Sequence, residues 1–294
     1  TVKLVAVSKF HPFEAIEEAY QAGQRIFAES RPQELHAKVK RLEEIRLERG
    51  EPDYMSDIEW HFIGHLQTNK MKMVLPHVSL VQSVDSVRLL EAINAWGSSN
   101  NKVVNVLLEP HVAAEETKQG FDPDEIVDVL ADAKRKYPNI RFCGIMGMAT
   151  FTDDESIIRS DFAAIRNVYQ SALSQCQTDS FSELSIGMSD DYPIAIEYGS
   201  TMVRIGSMIF GTQNMVEAEN LVAEFNITEG MVVEHQLDCS KYTVYCRLVL
   251  EHQENNKTYH ITYTVEEDDY LECRRGDTVQ VQDYWTIHSY TETN

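Results

Sequence analysis

The sequence predicts an α/β fold: a (β/α)8 barrel over residues 1–220, followed by a small antiparallel β unit over 221–294. Three observations carry that expectation. Eight short apolar runs alternate with longer amphipathic segments in the first part, the signature of a parallel sheet covered by helices. No glycine-rich turn follows the first run, whereas the competing open doubly wound sheet usually has one there. After residue 220 the period drops to two, in segments rich in β-branched and aromatic residues.

Taken in order, the strand candidates are KLVAVS (3–8), RIFAE (25–29), EWHFIG (59–64), SLVQSV (79–84), VVNVLLE (103–109), RFCGIM (141–146), ELSIG (183–187) and MVRIG (202–206). Helical patterns lie between them. PFEAIEEAYQAG has proline at its start and glycine past its end. DPDEIVDVLADAKRKYP reads as one helix, acidic at its start and basic at its end as the helix dipole favours. DDESIIRSDFAAIRNVYQSALSQC is the longest pattern. In the second part MVVEHQL, YTVYCRLVLEH, KTYHITYTVEE and DTVQVQDYWTIHSY read as strands, four or five in all. RRGD (274–277) is a turn before the last of them, and EEDDYLE a solvated face.

Charge and cysteine usage narrow the function classes. The chain of 294 residues carries a formal charge of −21, and the second part alone has five basic against fourteen acidic residues, a net −9. Nucleic acid and anionic membranes reward clustered Lys and Arg, so neither is expected as a partner. No apolar run of about 18 residues occurs, and the first residues lack a basic stretch followed by an apolar one, so neither a membrane span nor a signal peptide is expected. Five cysteines without a CxxC fit a reducing, cytoplasmic setting and offer no metal site.

In a barrel of this kind, chemistry gathers where the strands end. Lys9 ends the first apolar run, and Glu29, His65 and Met146 also fall at strand ends. The segment SIGMSDDYPIAIEYGSTMVRIGSMIFG (185–211) places Ser189 after the seventh strand and Gly206 and Ser207 after the eighth. Glycine permits close backbone approach, and amides at a helix start favour an anion. Singly these residues are turn residues and N-caps; as a pair on adjacent strands they form a phosphate cup. A phosphate cup facing a strand-end amine points to pyridoxal 5′-phosphate, whose aldehyde needs the amine. Arg204, two residues before the cup, would face the barrel mouth and stay charged. A guanidinium on the pyridine nitrogen leaves the ring a weaker electron sink than an Asp partner would.

The segments AVSK, FAESRPQEL, WHFIGHLQTNK, SVDSVRLLEAIN, ETKQGF, GIMGMA and the long 185–211 motif resemble the YggS/PROSC family of pyridoxal phosphate homeostasis proteins, from about residue 3 to 213. The resemblance implies a barrel of the alanine racemase N-terminal type. It implies Lys9 as the Schiff-base lysine, Ser189, Gly206 and Ser207 at the phosphate, Arg204 at the pyridine nitrogen and Met146 near the ring. His61 and Lys70 fall in a shared motif; for His61 a satisfied polar residue inside the barrel is an equal reading. The family usually has FGEN where this chain reads FAES, so Ala28 and Ser30 replace Gly and Asn, and the shorter Ser30 would reach the cofactor through water. The helix expected before the lysine strand is absent or trimmed, and the part beyond residue 220 is an addition of unread role.

Two functions stay open at this stage. One is a monomeric or weakly dimeric carrier and buffer of pyridoxal phosphate, serving pyridoxal phosphate-dependent apoenzymes without a committed reaction. The other is an amino-acid racemase or lyase using Lys9 as one base. Racemisation needs a base on each face, and the seven tyrosines at 242, 245, 259, 263, 270, 284 and 290 are also ordinary strand residues.

Overall fold

The computed structural model describes all residues except 113–119, 177–179, 212–220, 224, 240–243, 255–256, 266, 283–284 and 294. The chain divides into two compact units, Thr1–Phe210 and Gly211–Asn294.

In the first unit eight parallel strands close into a barrel in chain order. They are β1 (Lys3–Val7), β2 (Ile26–Glu29), β3 (Glu59–Phe62), β4 (Leu80–Val84), β5 (Val104–Leu108), β6 (Ile140–Met146), β7 (Glu183–Ser185) and β8 (Met202–Ile205). The first and last strands seal the barrel, Ala6 pairing with Ile205 on one side and with Phe27 on the other. Alternation sorts the strand residues into two layers. Val5, Val7, Ala28, Leu80, Leu107, Met146 and Met202 fill the interior. Ala6, Phe27, Phe62, Val81, Val106 and Leu184 face the helices and join their apolar faces in the larger core.

The helices follow the sequence signals in part. Helix α1 (Phe13–Gln21) follows Pro12, which sits one position earlier than expected, at the N-cap. Helix α2 (Pro32–Arg49) begins on a proline and ends at Gly50 with φ +67°, the left-handed stop that glycine adopts without strain. The pattern read as one helix over 122–138 is two, Pro123–Ala131 and Ala133–Lys136. Asp132 separates them at φ −118° and ψ 13°, outside the helical basin. The longest helix runs Glu155–Gln175, with Asp154 capping the Ser156 amide.

The second unit is a five-stranded antiparallel sheet over Glu229–Cys239, Val244–Glu254, Lys257–Val265, Thr278–Gln280 and Thr286–Thr293. Val232, Leu248, Leu250, Ile261, Tyr263 and Trp285 form its core. The segment read as one last strand is split in two here. The RRGD turn, with Gly276 at φ +93°, therefore precedes the next-to-last strand. EEDDYLE contains a short helix, Glu267–Glu272.

Candidate functional site

The residues singled out above lie along one arc of the barrel mouth. Lys9 follows β1, Ser30 follows β2, Met146 ends β6, Ser189 follows β7, and Arg204, Gly206 and Ser207 belong to β8 and the turn after it. In the closed barrel β6, β7, β8, β1 and β2 are consecutive neighbours.

Lys9 lies two residues past β1, in the turn that follows it. Val7 is interior, while Ser8 turns outward and its Oγ donates to Glu29 Oε1 at 2.6 Å. Lys9 is exposed. Among the described residues its one side-chain partner is the Phe10 ring, 5.6 Å from Nζ to centroid. Glu29, also a strand-end residue, is not at the mouth: Ala28 takes the interior position of β2, so Glu29 faces α2 and is fully buried. Ser30 packs its backbone against Gly64, where a Cβ would lie 1.9 Å from the Ser30 carbonyl oxygen, so only glycine fits. Met146 is 1% exposed in the interior layer directly beneath.

The turn after β8 is a single helical turn, Ser207–Phe210, closed by the Ile209 and Phe210 amides donating to the Gly206 carbonyl at 2.9 Å each. A Cβ at Gly206 would stand 3.2 Å from the Val7 carbonyl oxygen, so a larger residue there would press on β1. After β7, the Met188 amide donates to Asp191 Oδ1 at 2.6 Å and fixes the turn that carries Ser189. Neither the Ser189 nor the Ser207 hydroxyl has a hydrogen-bond partner among the described residues. His11 and Phe210 stack at 5.2 Å between centroids, joining the turn after β1 to the turn after β8.

Arg204 lies just below this rim, 3% exposed. Its Nη1 donates to the Ser185 carbonyl and to Ser185 Oγ, both at 2.8 Å, and Nη2 donates to the Gly147 carbonyl at 3.0 Å. Three of its five N–H groups are thus used. The Nε–H and the second Nη2 hydrogen have no acceptor among the described residues. Burial pushes the guanidinium down to about 10, against Glu109 and Asp191, which raise it, so it is a cation at neutral pH.

A directional chain of hydrogen bonds holds Arg204 from inside the barrel. Arginine can only donate, so Ser185 Oγ accepts from it and donates onward to Gln82 Oε1 at 2.7 Å. Gln82 Nε2 then donates to His61 Nδ1 at 2.9 Å. That order makes His61 a neutral acceptor at Nδ1. Its burial pushes its pKa down to about 4, in agreement. His61 is thus part of the packed interior, and Lys70 ends a 3-10 turn, Thr68–Lys70, away from it. Ser185→Ala removes an acceptor from Arg204 and a donor from Gln82; urea unfolding should show a loss of about 1–2 kcal/mol.

One group at the mouth was not singled out from sequence. Glu109 follows β5, two positions beyond the interior Leu107. Burial pushes its carboxyl up to about 7, with Asp85 adding to the rise and Arg204 and His65 opposing it. Asp85 in turn holds His65 Nδ1 at 3.0 Å. The signal was available: an acid directly after an apolar strand, the same pattern that picked Lys9. Of the ETKQGF segment only Gly120 and Phe121 are among the described residues, and no group of three metal-ligating side chains occurs among them.

The residues fit a phosphorylated pyridine aldehyde: an exposed amine, a buried cation with two N–H groups unused among the described residues, and two serines on adjacent turns whose hydroxyls have no partner among those residues. Comparison with known proteins agrees with that chemistry. Residues 1–214 match the family of the alanine racemase N-terminal domain. The pyridoxal phosphate homeostasis protein of Haemophilus influenzae is 36% identical over 220 residues, 75% of this chain and 89% of that one. PipY of Synechococcus elongatus PCC7942, solved with PLP bound, is 32% identical with a TM-score of 0.63, covering 71% of this chain and 92% of its own. Alanine racemase of Bartonella henselae superposes over 96% of this chain and 83% of its own, with a TM-score of 0.56 at 14% identity, a likeness of fold.

Proposed function

Because this chain belongs to the family of pyridoxal phosphate homeostasis proteins, we propose that it binds pyridoxal 5′-phosphate at the barrel mouth and keeps it available without committing it to one amino-acid reaction. The observation that carries this reading is the pairing of an exposed Lys9 amine with a buried Arg204 that has N–H groups left to donate. When bound, the cofactor supplies an aldehyde that takes up amines and a ring that can draw electrons. The chain does the rest. Lys9 would offer its amine; Ser189, Ser207 and the backbone at Gly206 would hold the phosphate; Ser30 and Met146 would lie beside the ring. Arg204 would be the donor for the ring nitrogen and, as a guanidinium, would keep its own proton, which would leave that nitrogen uncharged and the ring a weak electron sink. A site built this way holds and releases more readily than it turns over. We infer that the recipients are pyridoxal phosphate-dependent apoenzymes in the cytoplasm, and the thiols of Cys143 and Cys246, unbridged among the described residues, suit a reducing compartment.

A second reading, an amino-acid racemase or lyase, is favoured by one observation. Glu109 is a carboxyl that titrates near neutrality at the same mouth, as a general acid or base should. One experiment separates the two. Pyridoxal phosphate is added to the protein and the near-visible absorption recorded, then borohydride is added and the modified residue located by mass spectrometry. A band fixed by borohydride on one lysine, unchanged over hours with D- or L-alanine and with no loss of optical purity, is the expected result. Racemised alanine would establish the second reading. No band at all would remove the first.

A further inference from the structure

The Ser8–His11 segment is a β-turn, closed by the His11 amide donating to the Ser8 carbonyl at 3.1 Å. Lys9 and Phe10 are its central residues. Phe10 has φ +71°, the conformation that the third residue of a type II turn requires and that glycine or asparagine normally supplies. A bulky aromatic residue holds it only where the surroundings impose it.

What imposes it lies behind the strand, on α2. Lys38 is buried, its side chain 6% exposed. Its ammonium has three N–H groups and three acceptors: the Ser8 carbonyl at 2.7 Å, Glu29 Oε1 at 2.6 Å and Glu34 Oε1 at 2.9 Å. The two carboxylates then grip the turn at its first and third residues. Glu29 Oε1 accepts from Ser8 Oγ at 2.6 Å, and Glu34 Oε1 accepts from the Phe10 amide. On the outer side the Arg31 guanidinium covers the Phe10 ring at 4.5 Å. Lys9 is the one residue of the three between Ser8 and Phe10 whose side chain this network leaves free.

We propose that Lys38 is a positioning residue for Lys9: together with Glu29 and Glu34 it fixes the strained turn that presents the Lys9 amine at the mouth. This rests on the reading of Lys9 as the residue that takes up pyridoxal phosphate. The geometry supports a division of labour. A buried, fully satisfied lysine cannot reach the ligand, and an exposed lysine on a loose turn would spread its amine over many positions. Burying one lysine to restrain the turn that carries another resolves that conflict.

The test uses Lys38→Met, Lys38→Arg and the pair Lys38→Met with Glu29→Gln, the last chosen so that the fully buried Glu29 carboxylate is not left facing an apolar side chain while the partly exposed Glu34 is kept. Two measurements are made on each full-length variant. The first is reactivity of Lys9 without cofactor, read by mass spectrometry as its rate of reductive methylation relative to exposed Lys40 and Lys72. The second is the pyridoxal phosphate concentration that half-saturates the near-visible band. Both methionine variants should bind about tenfold more weakly or worse, as loss of a supporting partner typically costs, and Lys9 should lose its distinct methylation rate. Lys38→Arg should recover part of both. A methionine variant that melts earlier yet keeps wild-type half-saturation and wild-type Lys9 reactivity would overturn the proposal and leave Lys38 a stabilising residue only. If wild-type protein gives no band on Lys9, the reading of Lys9 fails; an altered methylation rate in the variants would still uphold the turn restraint.

Discussion

Lys9→Ala is expected to abolish the borohydride-fixed adduct completely and to leave the fold almost untouched. Both halves follow from where the side chain stands. Lys9 is exposed, and its one side-chain contact among the described residues is a distant face of Phe10. Removing such a side chain should change stability by no more than about 0.5 kcal/mol. The groups proposed to hold the phosphate and the ring nitrogen are on β7, β8 and their turns and keep their positions. Pyridoxal phosphate should therefore still bind the variant, reversibly and without the near-visible band, and equilibrium dialysis should detect it. The lysine behind the same turn is excluded by geometry: Lys38 is buried with all three N–H groups occupied. An adduct of undiminished yield in Lys9→Ala, wherever it mapped, would show that the amine had been assigned to the wrong strand end.

The barrel was legible because its strands are short apolar runs separated by longer amphipathic segments, and that pattern survives without any knowledge of contacts. The arc of site residues was legible for the same reason, since Lys9, Ser189 and Ser207 all lie just past strand ends. What strand ends do not reveal is the face. Glu29 and Lys9 look equally terminal, but alternation from Ala28 sends Glu29, still inside β2, to the helix layer, whereas Lys9 falls beyond β1 in an exposed turn. Counting twos along the strand would have separated them. Glu109 was missed although the same count from Leu107 puts it on the inner face.

The support of Arg204 was not legible at all. Ser185, Gly147, Gln82 and His61 come from four other strands or their ends, and nothing local marks Gln82 inside SLVQSV as anything but a polar interruption. Such residues are found only once closure of the barrel brings β3, β4, β7 and β8 around one interior. The split of the helix at Asp132 escaped for a different reason. Its sequence is helix-favouring throughout, so propensity gave no warning of the break. In the second unit, hydrophobic alternation predicted the sheet but ran straight through residues 277–290, where the chain makes two strands with a connection between them.

Titration of the interior should be visible as two opposed effects, each worth about 3 kcal/mol, that nearly hide one another in the wild-type protein. His61 has its pKa lowered from 6.5 to about 4 by burial. The unfolded chain takes up that proton first, so the His61 contribution is fully present above pH 6.5 and is lost as pH falls toward 4. Glu109 is raised from 4.5 to about 7. There the folded chain takes up the proton first, so its penalty is full above pH 7 and is relieved as pH falls toward 4.5. Over the same interval one group destabilises on acidification and the other stabilises. His61→Gln, which keeps an acceptor for Gln82, should therefore become more stable on acidification relative to wild type. Glu109→Gln should become steeply acid-labile. Urea unfolding at a series of pH values reads both, and the other shifted groups cancel because every protein in the comparison carries them. Curves that ran parallel for wild type and His61→Gln would mean that His61 titrates alike in folded and unfolded chains. The neutral Nδ1 acceptor would then be wrong, and with it the direction of the hydrogen-bond chain that ends on Arg204.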